Sequence, residues 1–363
     1  MADEEPTYSD IFRLMLQGTK NLLTADRNKM DLMMCKDPSD SIEKIWQHYF
    51  SSSKSMQVTW IGHASLLCQM SGINILTDPT WAKQCQNSKY FFSKRNFPPP
   101  FEISDLPPIH IVLISNNHCD HFDESTIQAL GTDPSYFVPL GLQAWFQERG
   151  FENCFEMNWW DMTTYHNIGN IGSLEITCTP SQNERTQSPS CTSATLWCSW
   201  AITNLKTGQK FFFGGNPGHC PAFEEIGKVI GPFDFAAIAS DSCKTYTKRN
   251  GEVSSAEEAV LIHKDIRSKQ SLSIHWGTFS DMGDTWSKPM IDLRAAKTKH
   301  EILMTELVGC YPGKVFNLGS SIFRPFLEGS SDPSMRLSTF LLDDEKRRSS
   351  SKFHFSVCGI EGR

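Results

Sequence analysis

A chain of 363 residues with 39% hydrophobic and 21% charged side chains has the composition of a globular protein able to bury a sizeable core. A formal net charge of -7 argues against a nucleic-acid partner, because phosphate binding is dominated by clustered Lys and Arg. It leaves room for a membrane surface, since a local basic or apolar face can act against the global sign.

No run of 18 apolar residues occurs, so no transmembrane helix is expected, and the opening Met-Ala-Asp-Glu-Glu-Pro is acidic where a secretory signal is basic. The 12 cysteines are irregularly spaced and contain no Cys-x-x-Cys pair. They read as scattered reduced thiols, which places the chain in the cytoplasm or at the cytosolic face of a membrane.

In chain order, residues 1–55 read as a helical arm, with Ile11, Phe12, Leu14, Met15, Leu16, Leu22 and Leu23 recurring at helical spacing. From Met56 the pattern changes to strands at Gln57 to Trp60, Ser65 to Met70 and Ile73 to Thr77, separated by the turn signals Gly62-His63 and Ser71-Gly72. His63 reads equally as a hydrogen-bonding residue between strands or as a site residue. His110 to Ile114 is a continuous apolar run, as in a strand buried on both faces, and Asp123 to Leu130 reads as a helix capped by Asp123.

The second half repeats the alternation. Strands are expected at Ser173 to Thr179, Leu196 to Thr203, Lys210 to Phe213 and Ser271 to His275, and helices at Pro221 to Ile230 and Ser254 to Lys269. Ser254 or Ser255 followed by Glu257 and Glu258 resembles a capping box. Two groups of strands with helices between them suit an α/β sandwich of two stacked sheets flanked by helices. The Ser-rich stretch from 327 to 363 reads as a disordered tail, leaving 56–326 as the folded domain.

The segment Ser115-Asn116-Asn117-His118-Cys119-Asp120-His121 follows the apolar strand, where a loop can aim several side chains at one point. His118, Asp120 and His121 within four residues form a dense set of zinc-competent ligands. The segment resembles the His-x-His-x-Asp-His motif of the metallo-β-lactamase superfamily with Asn116 in the first histidine position. Trp60-Ile61-Gly62-His63-Ala64, Leu76-Thr77-Asp78-Pro79, Phe137-Val138-Pro139-Leu140-Gly141-Leu142, Thr179-Pro180-Ser181-Gln182 and Ile274-His275-Trp276-Gly277 are similar to the N-acylphosphatidylethanolamine-hydrolysing phospholipases D of that superfamily.

The resemblance, from about Val58 to about Ser320, implies a metallo-β-lactamase αββα fold, a homodimer, a phospholipid or N-acyl lipid ligand and a membrane-associated surface. Family enzymes use two zinc ions to hydrolyse a phosphodiester, releasing an N-acylethanolamine and phosphatidic acid. Carried over, the first zinc falls on Asn116, His118 and Asn183, the second on Asp120, His121 and His275, and the bridging carboxylate on Asn216. Retained ligand positions are thus His118, Asp120, His121 and His275, and the degenerate ones Asn116, Asn183 and Asn216.

A neutral carboxamide is a poor zinc ligand beside imidazole or carboxylate. The pattern therefore implies at most one zinc ion, not two, in an inactive relative with a lipid-binding or regulatory role. The alternative is a zinc-dependent phospholipase D that carries out the family reaction, either with a compensating ligand or with a single metal, in which case His219 or His118 would serve as acid or base. The substrate wall differs from the family's at Asp241, Cys243 and Val253.

Overall fold

The computed structural model describes residues 56–86, 92–166, 172–182, 195–240, 255–279, 288–310 and 312–318. The arm expected at 1–55 and the tail expected from 327 lie outside them.

The strand readings turn into a three-stranded meander: β1 (Gln57–Gly62), β2 (Ser65–Met70) and β3 (Ile73–Thr77), each pair antiparallel. The hairpin β4 (Gln84–Gln86) and β5 (Phe92–Lys94) precedes the buried β6 (Ile111–Leu113). Next come helix α1 (Glu124–Leu130), β7 (Ser135–Pro139), the short helix α2 (Gln143–Gln147) and β8 (Cys154–Met157). Asp123 caps α1 as anticipated, accepting from the backbone N–H groups of Ser125 and Thr126.

The second half supplies β9 (Met162–His166), β10 (Ser173–Pro180), β11 (Cys198–Asn204), β12 (Lys210–Phe213) and helix α3 (Ala222–Val229). It continues with β13 (Phe235–Ala239), α4 (Ala256–Asp265), β14 (Ser271–Ile274), α5 (Lys288–Lys299), β15 (Leu307–Gly309) and β16 (Val315–Asn317). Ser255 is the N-cap of α4, in a reciprocal box with Glu258: the Ser255 Oγ accepts from Glu258 N–H at 3.2 Å while a Glu258 carboxylate oxygen accepts from Ser255 N–H at 2.7 Å.

Among the described residues these strands make two seven-stranded sheets, ordered β16-β1-β2-β3-β6-β7-β8 and β15-β14-β13-β12-β11-β10-β9. Each is antiparallel at one end and parallel at the other. The sheets are joined across the sandwich by Trp200 Nε1–H donating to the Ile114 carbonyl (2.9 Å), by Asn204 donating to Ser71 Oγ (2.6 Å) and by Phe235 packing on Phe316. Outside the first sheet, α1 and α2 bury Ile127 and Phe146 with Val112, Tyr136 and Val138. Outside the second, α3 and α4 bury Phe223, Ile226 and Ile262 with Phe212 and Ile238. The layering is αββα, as the strand pattern and the resemblance implied.

One expectation fails. The cysteines are not all isolated thiols: Cys85 and Cys119 are joined in a disulfide with their Cα atoms 5.8 Å apart. Cys68, Cys154, Cys178 and Cys198 remain buried thiols. No helix among the described residues is long and apolar enough to cross a membrane.

Candidate metal centre

Parallel strands bring their carboxyl ends to one edge, and the loops leaving them there carry the polar groups. Asp78 follows β3, the Ser115–His121 loop follows β6, and His275 follows β14. The β1–β2 turn adds His63. His63, Asp78 and His275 all have positive φ (52°, 31° and 75°), a conformation that non-glycine residues adopt only when the surroundings impose it. Those surroundings are visible. The His63 carbonyl accepts from His275 N–H (2.9 Å) and Trp60 Nε1–H (2.9 Å), and His63 N–H donates to Thr278 Oγ1 (2.8 Å).

The result is a convergence of His63, Asp120, His121 and His275. Asp120 Oδ2 lies 3.1 Å from His63 Nε2, 3.7 Å from His121 Nε2 and 3.6 Å from His275 Nε2, and the last two nitrogens are 3.2 Å apart. Tetrahedral zinc with bonds near 2.0–2.1 Å places neighbouring donors about 3.3–3.4 Å apart, so these spacings suit one ion.

His121 is oriented by Asp78, whose carboxylate accepts from its Nδ1–H at 2.6 Å. That leaves Nε2 as the lone-pair nitrogen facing Asp120 and His275, an arrangement common behind zinc-binding histidines. Asp78 is fully buried and also accepts from Ser115 N–H (2.7 Å) and Ser115 O–H (2.6 Å).

The electrostatics follow from burial and proximity. Burial opposes ionisation of Asp120, but His121, His275 and His63 outweigh it and hold the carboxyl well below the usual carboxylate range. His63 is pushed down to about 3 by burial and then by its neighbour His275, which keeps it a neutral imidazole. Burial raises the Asp78 carboxyl, while its contacts with His121 and Ser115 pull the other way. Three imidazoles and one carboxylate converging at these spacings are a donor set suited to a divalent cation.

The degenerate side looks different. Asn116 is 1% exposed, and its amide is turned to local backbone and hydroxyl groups: Oδ1 accepts from His118 N–H (2.9 Å) and Nδ2 donates to Ser115 Oγ (2.9 Å). The His118 ring stands edge-on to Trp197 at 4.4 Å and is not one of the four converging donors. Asn216 sits in a loop pressed against the motif. Gly215, with φ +67°, approaches so closely that a Cβ there would lie 2.7 Å from the Cβ of Ser115.

The same loop accepts a strand-like contact from the other side, Gly218 N–H donating to the Gln182 carbonyl (2.8 Å). Asn183, Asp241, Cys243 and Val253 lie outside the described residues. His219 Nε2 meets Asp265 at 2.6 Å, which ties its ring to the end of α4.

Sequence reasoning left His63 undecided and did not assign Asp78 a role. A carboxylate directly after an apolar strand and before a proline, as in Thr77-Asp78-Pro79, was the available signal for the latter. A cavity of about 1200 Å³ lined by Trp81, Arg95, Pro98, Ile103 and Leu106 contains none of the four donors and belongs to a different part of the surface.

Two mixed seven-stranded sheets between helices, with a His/Asp cluster at their shared edge, define a metallo-β-lactamase-type domain. Residues 73–276 match the Beta-lactamase superfamily domain. The chain is 31% identical over 290 residues to N-acyl-phosphatidylethanolamine-hydrolyzing phospholipase D 1 of Caenorhabditis elegans, covering 77% of this chain and 78% of that protein. It is 28% identical over 236 residues to the mitochondrial N-acyl-phosphatidylethanolamine-hydrolyzing phospholipase D of Saccharomyces cerevisiae, covering 64% of this chain and 49% of that one. Isothiocyanate hydrolase from Delia radicum gut bacteria shares the fold with a TM-score of 0.55 at 17% identity, over 72% of this chain and 98% of that chain. The chain belongs to the metallo-β-lactamase superfamily and, within it, to the N-acylphosphatidylethanolamine phospholipase D-like family.

Proposed function

We propose that this chain is a lipid-directed member of its family that has given up two-metal phosphodiester hydrolysis and keeps one structural zinc ion. The observation that carries the reading is the closure of the remaining donor set. With Asp120, His121 and His275 alone, a zinc ion would keep an open fourth position, the hallmark of catalytic sites. His63 supplies a fourth donor at 3.1 Å from Asp120, and four protein ligands are the pattern of structural sites.

A bound zinc ion would supply Lewis acidity in an open site, and here would cross-link three segments of the fold: the β1–β2 turn, the loop after β6 and the residue after β14. Asp78 orients His121, and the backbone bonds of His63 hold the two turns together. On the other side, Asn116 spends both ends of its amide on Ser115 and His118, so its own side chain does not stand in for the lost imidazole. His219, held by Asp265, has no assigned proton to move in this reading.

The lipid role is supported by relatedness to the Caenorhabditis elegans and yeast enzymes, named for an N-acylated phospholipid, and by an apolar rim. Phe155, Trp159, Trp160 and Met162 are exposed on or beside the edge strands β8 and β9, and Trp159 bonds to the carbonyl of Trp197, the residue against His118. Aromatic side chains with polar tips suit a membrane–water boundary. Arg95, in contrast, is occupied: its guanidinium donates to the carbonyls of Thr80 and Ala82 and lies over Phe279, a structural post and not a headgroup ligand.

The test is paired. Purified, zinc-loaded protein is assayed for N-acylethanolamine release and for flotation with phosphatidylethanolamine vesicles. The reading expects flotation and no release above a blank, and turnover carried by the wild-type site would overturn it.

A further inference from the structure

A second set of donors, sharing only Asp120 with the histidine centre, lies where β4 meets the motif loop. Cys85 Sγ, Cys119 Sγ and an oxygen of Asp120 all lie within 4.8 Å of one another. Cys85 is buried on β4, and Cys119 is partly exposed in the motif itself, between His118 and Asp120. β4 is held over the motif by the chain before it. Asp123 accepts from the N–H groups of Trp81 (3.1 Å) and Ala82 (2.9 Å), and Arg95 N–H donates to the Lys83 carbonyl (2.9 Å). The two sulfurs are therefore fixed beside Asp120 by the fold on both sides of the disulfide, and breaking the S–S bond would not release them from it.

We propose that Cys85, Cys119 and Asp120 form a second, redox-conditional site for a thiophilic divalent cation of the zinc type, present only when the disulfide is reduced. Two thiolates and a carboxylate are a competent zinc donor set with one position left for solvent. Asp120 faces both this set and the three histidines, so its carboxylate serves as the bridge between the two sites. The step balances: a dithiol reductant delivers two electrons and two protons to the Cys85–Cys119 bond and leaves as its own disulfide. Cation binding then displaces the two thiol protons. Oxidation by a disulfide reverses the sequence and expels the cation.

The inference shares Asp120 with the structural zinc centre but stands on the cysteine pair, and cobalt(II) separates the two. Disulfide-intact full-length protein is titrated with Co²⁺, then reduced with a phosphine, desalted anaerobically and titrated again. Alkylation mass spectrometry reports the state of Cys85 and Cys119, and circular dichroism reports the fold. The expected result is one equivalent bound without a sulfur-to-cobalt charge-transfer band before reduction. After it, a second equivalent binds and the near-ultraviolet band appears.

Cys85→Ser abolishes the band, and Cys119→Ser serves as the same test should the buried position not tolerate serine. His121→Ala loses the first equivalent and keeps the band, so failure of the histidine centre is distinguishable from failure of this proposal. The proposal is overturned by reduced, folded protein that shows no band or a band that survives both cysteine variants. It is equally overturned by protein whose fold is lost on reduction, or by a native chain in which the two cysteines never pair.

Discussion

Replacing Asp78 by asparagine tests the histidine centre through a residue that touches no cation. Asn keeps the shape and tolerates the +31° φ at this position, so the backbone has no reason to move. What changes is the polarity of one atom. Asp78 accepts at one oxygen from Ser115 N–H and at the other from both Ser115 O–H and His121 Nδ1–H. An amide placed with its oxygen on the Ser115 backbone presents an NH₂ to His121 Nδ1, which then has to be the lone-pair nitrogen. The proton moves to Nε2, the atom aimed at Asp120 and His275, and the imidazole can no longer ligate without rearrangement.

Loss of a hydrogen-bond partner behind a ligating histidine costs about 10–100-fold in metal affinity, or about 1.4–2.7 kcal/mol. Competition against a chromophoric chelator would read the zinc dissociation constant of wild type and Asp78→Asn on disulfide-intact protein. A variant with an unchanged fold and a dissociation constant within threefold of wild type would refute the orientation argument.

Three further outcomes are expected. Gly227→Ala in α3 places a Cβ 1.9 Å from the Asp265 carbonyl oxygen, with backbone on the far side, so it should destabilise by about 3 kcal/mol and lower Tm by roughly 6–12 °C in a thermal melt. Ser255→Ala removes one half of the capping box of α4 and should cost about 1 kcal/mol in urea unfolding. His263, 3% exposed and bonded to Ser271 Oγ, has its pKa pushed down to about 4 by burial and then by Lys297 and Lys264, with Glu306 at 3.7 Å too distant to restore it.

Because the folded pKa of His263 is depressed, the unfolded chain takes up the proton first as pH falls. Its contribution is complete above pH 6.5 and is lost between 6.5 and 4, by roughly 3 kcal/mol at most. Comparing unfolding free energies at pH 7 and 4.5 for wild type and His263→Gln checks this, and an equal loss in both proteins would contradict it.

The architecture was legible wherever apolar residues repeated with a clear period or a turn signal set a boundary. β2, β3 and β12 begin and end where the sequence placed them, because Ser71-Gly72 and the Phe211 to Phe213 run leave little choice. β13 was not read, since Phe235–Ala239 is buried throughout and such a run carries no alternation to separate it from a helix. β15, β16 and α5 were missed for the opposite reason: two are three residues long, and α5 buries only Pro289, Leu293, Ala296 and Lys297 of its twelve residues.

At the site, Asp120, His121 and His275 were named from the sequence and the structure brings them together, while His118 was named and stands outside the group. His63 joins them from 57 residues before Asp120, on a turn whose shape depends on Thr278 and His275. That is tertiary information that no local pattern contains. The Cys85–Cys119 bond was invisible for the same reason, its partners being 34 residues apart and united only by the packing of the β4 hairpin on the motif.

The most direct measurement is an anomalous difference map collected at the zinc edge from crystals of the disulfide-intact, zinc-loaded chain. The account predicts one peak, enclosed by His63, Asp120, His121 and His275. Two peaks about 3.5–4 Å apart, one of them beside Asn116 and Asn216, would contradict it and restore the two-metal hydrolase.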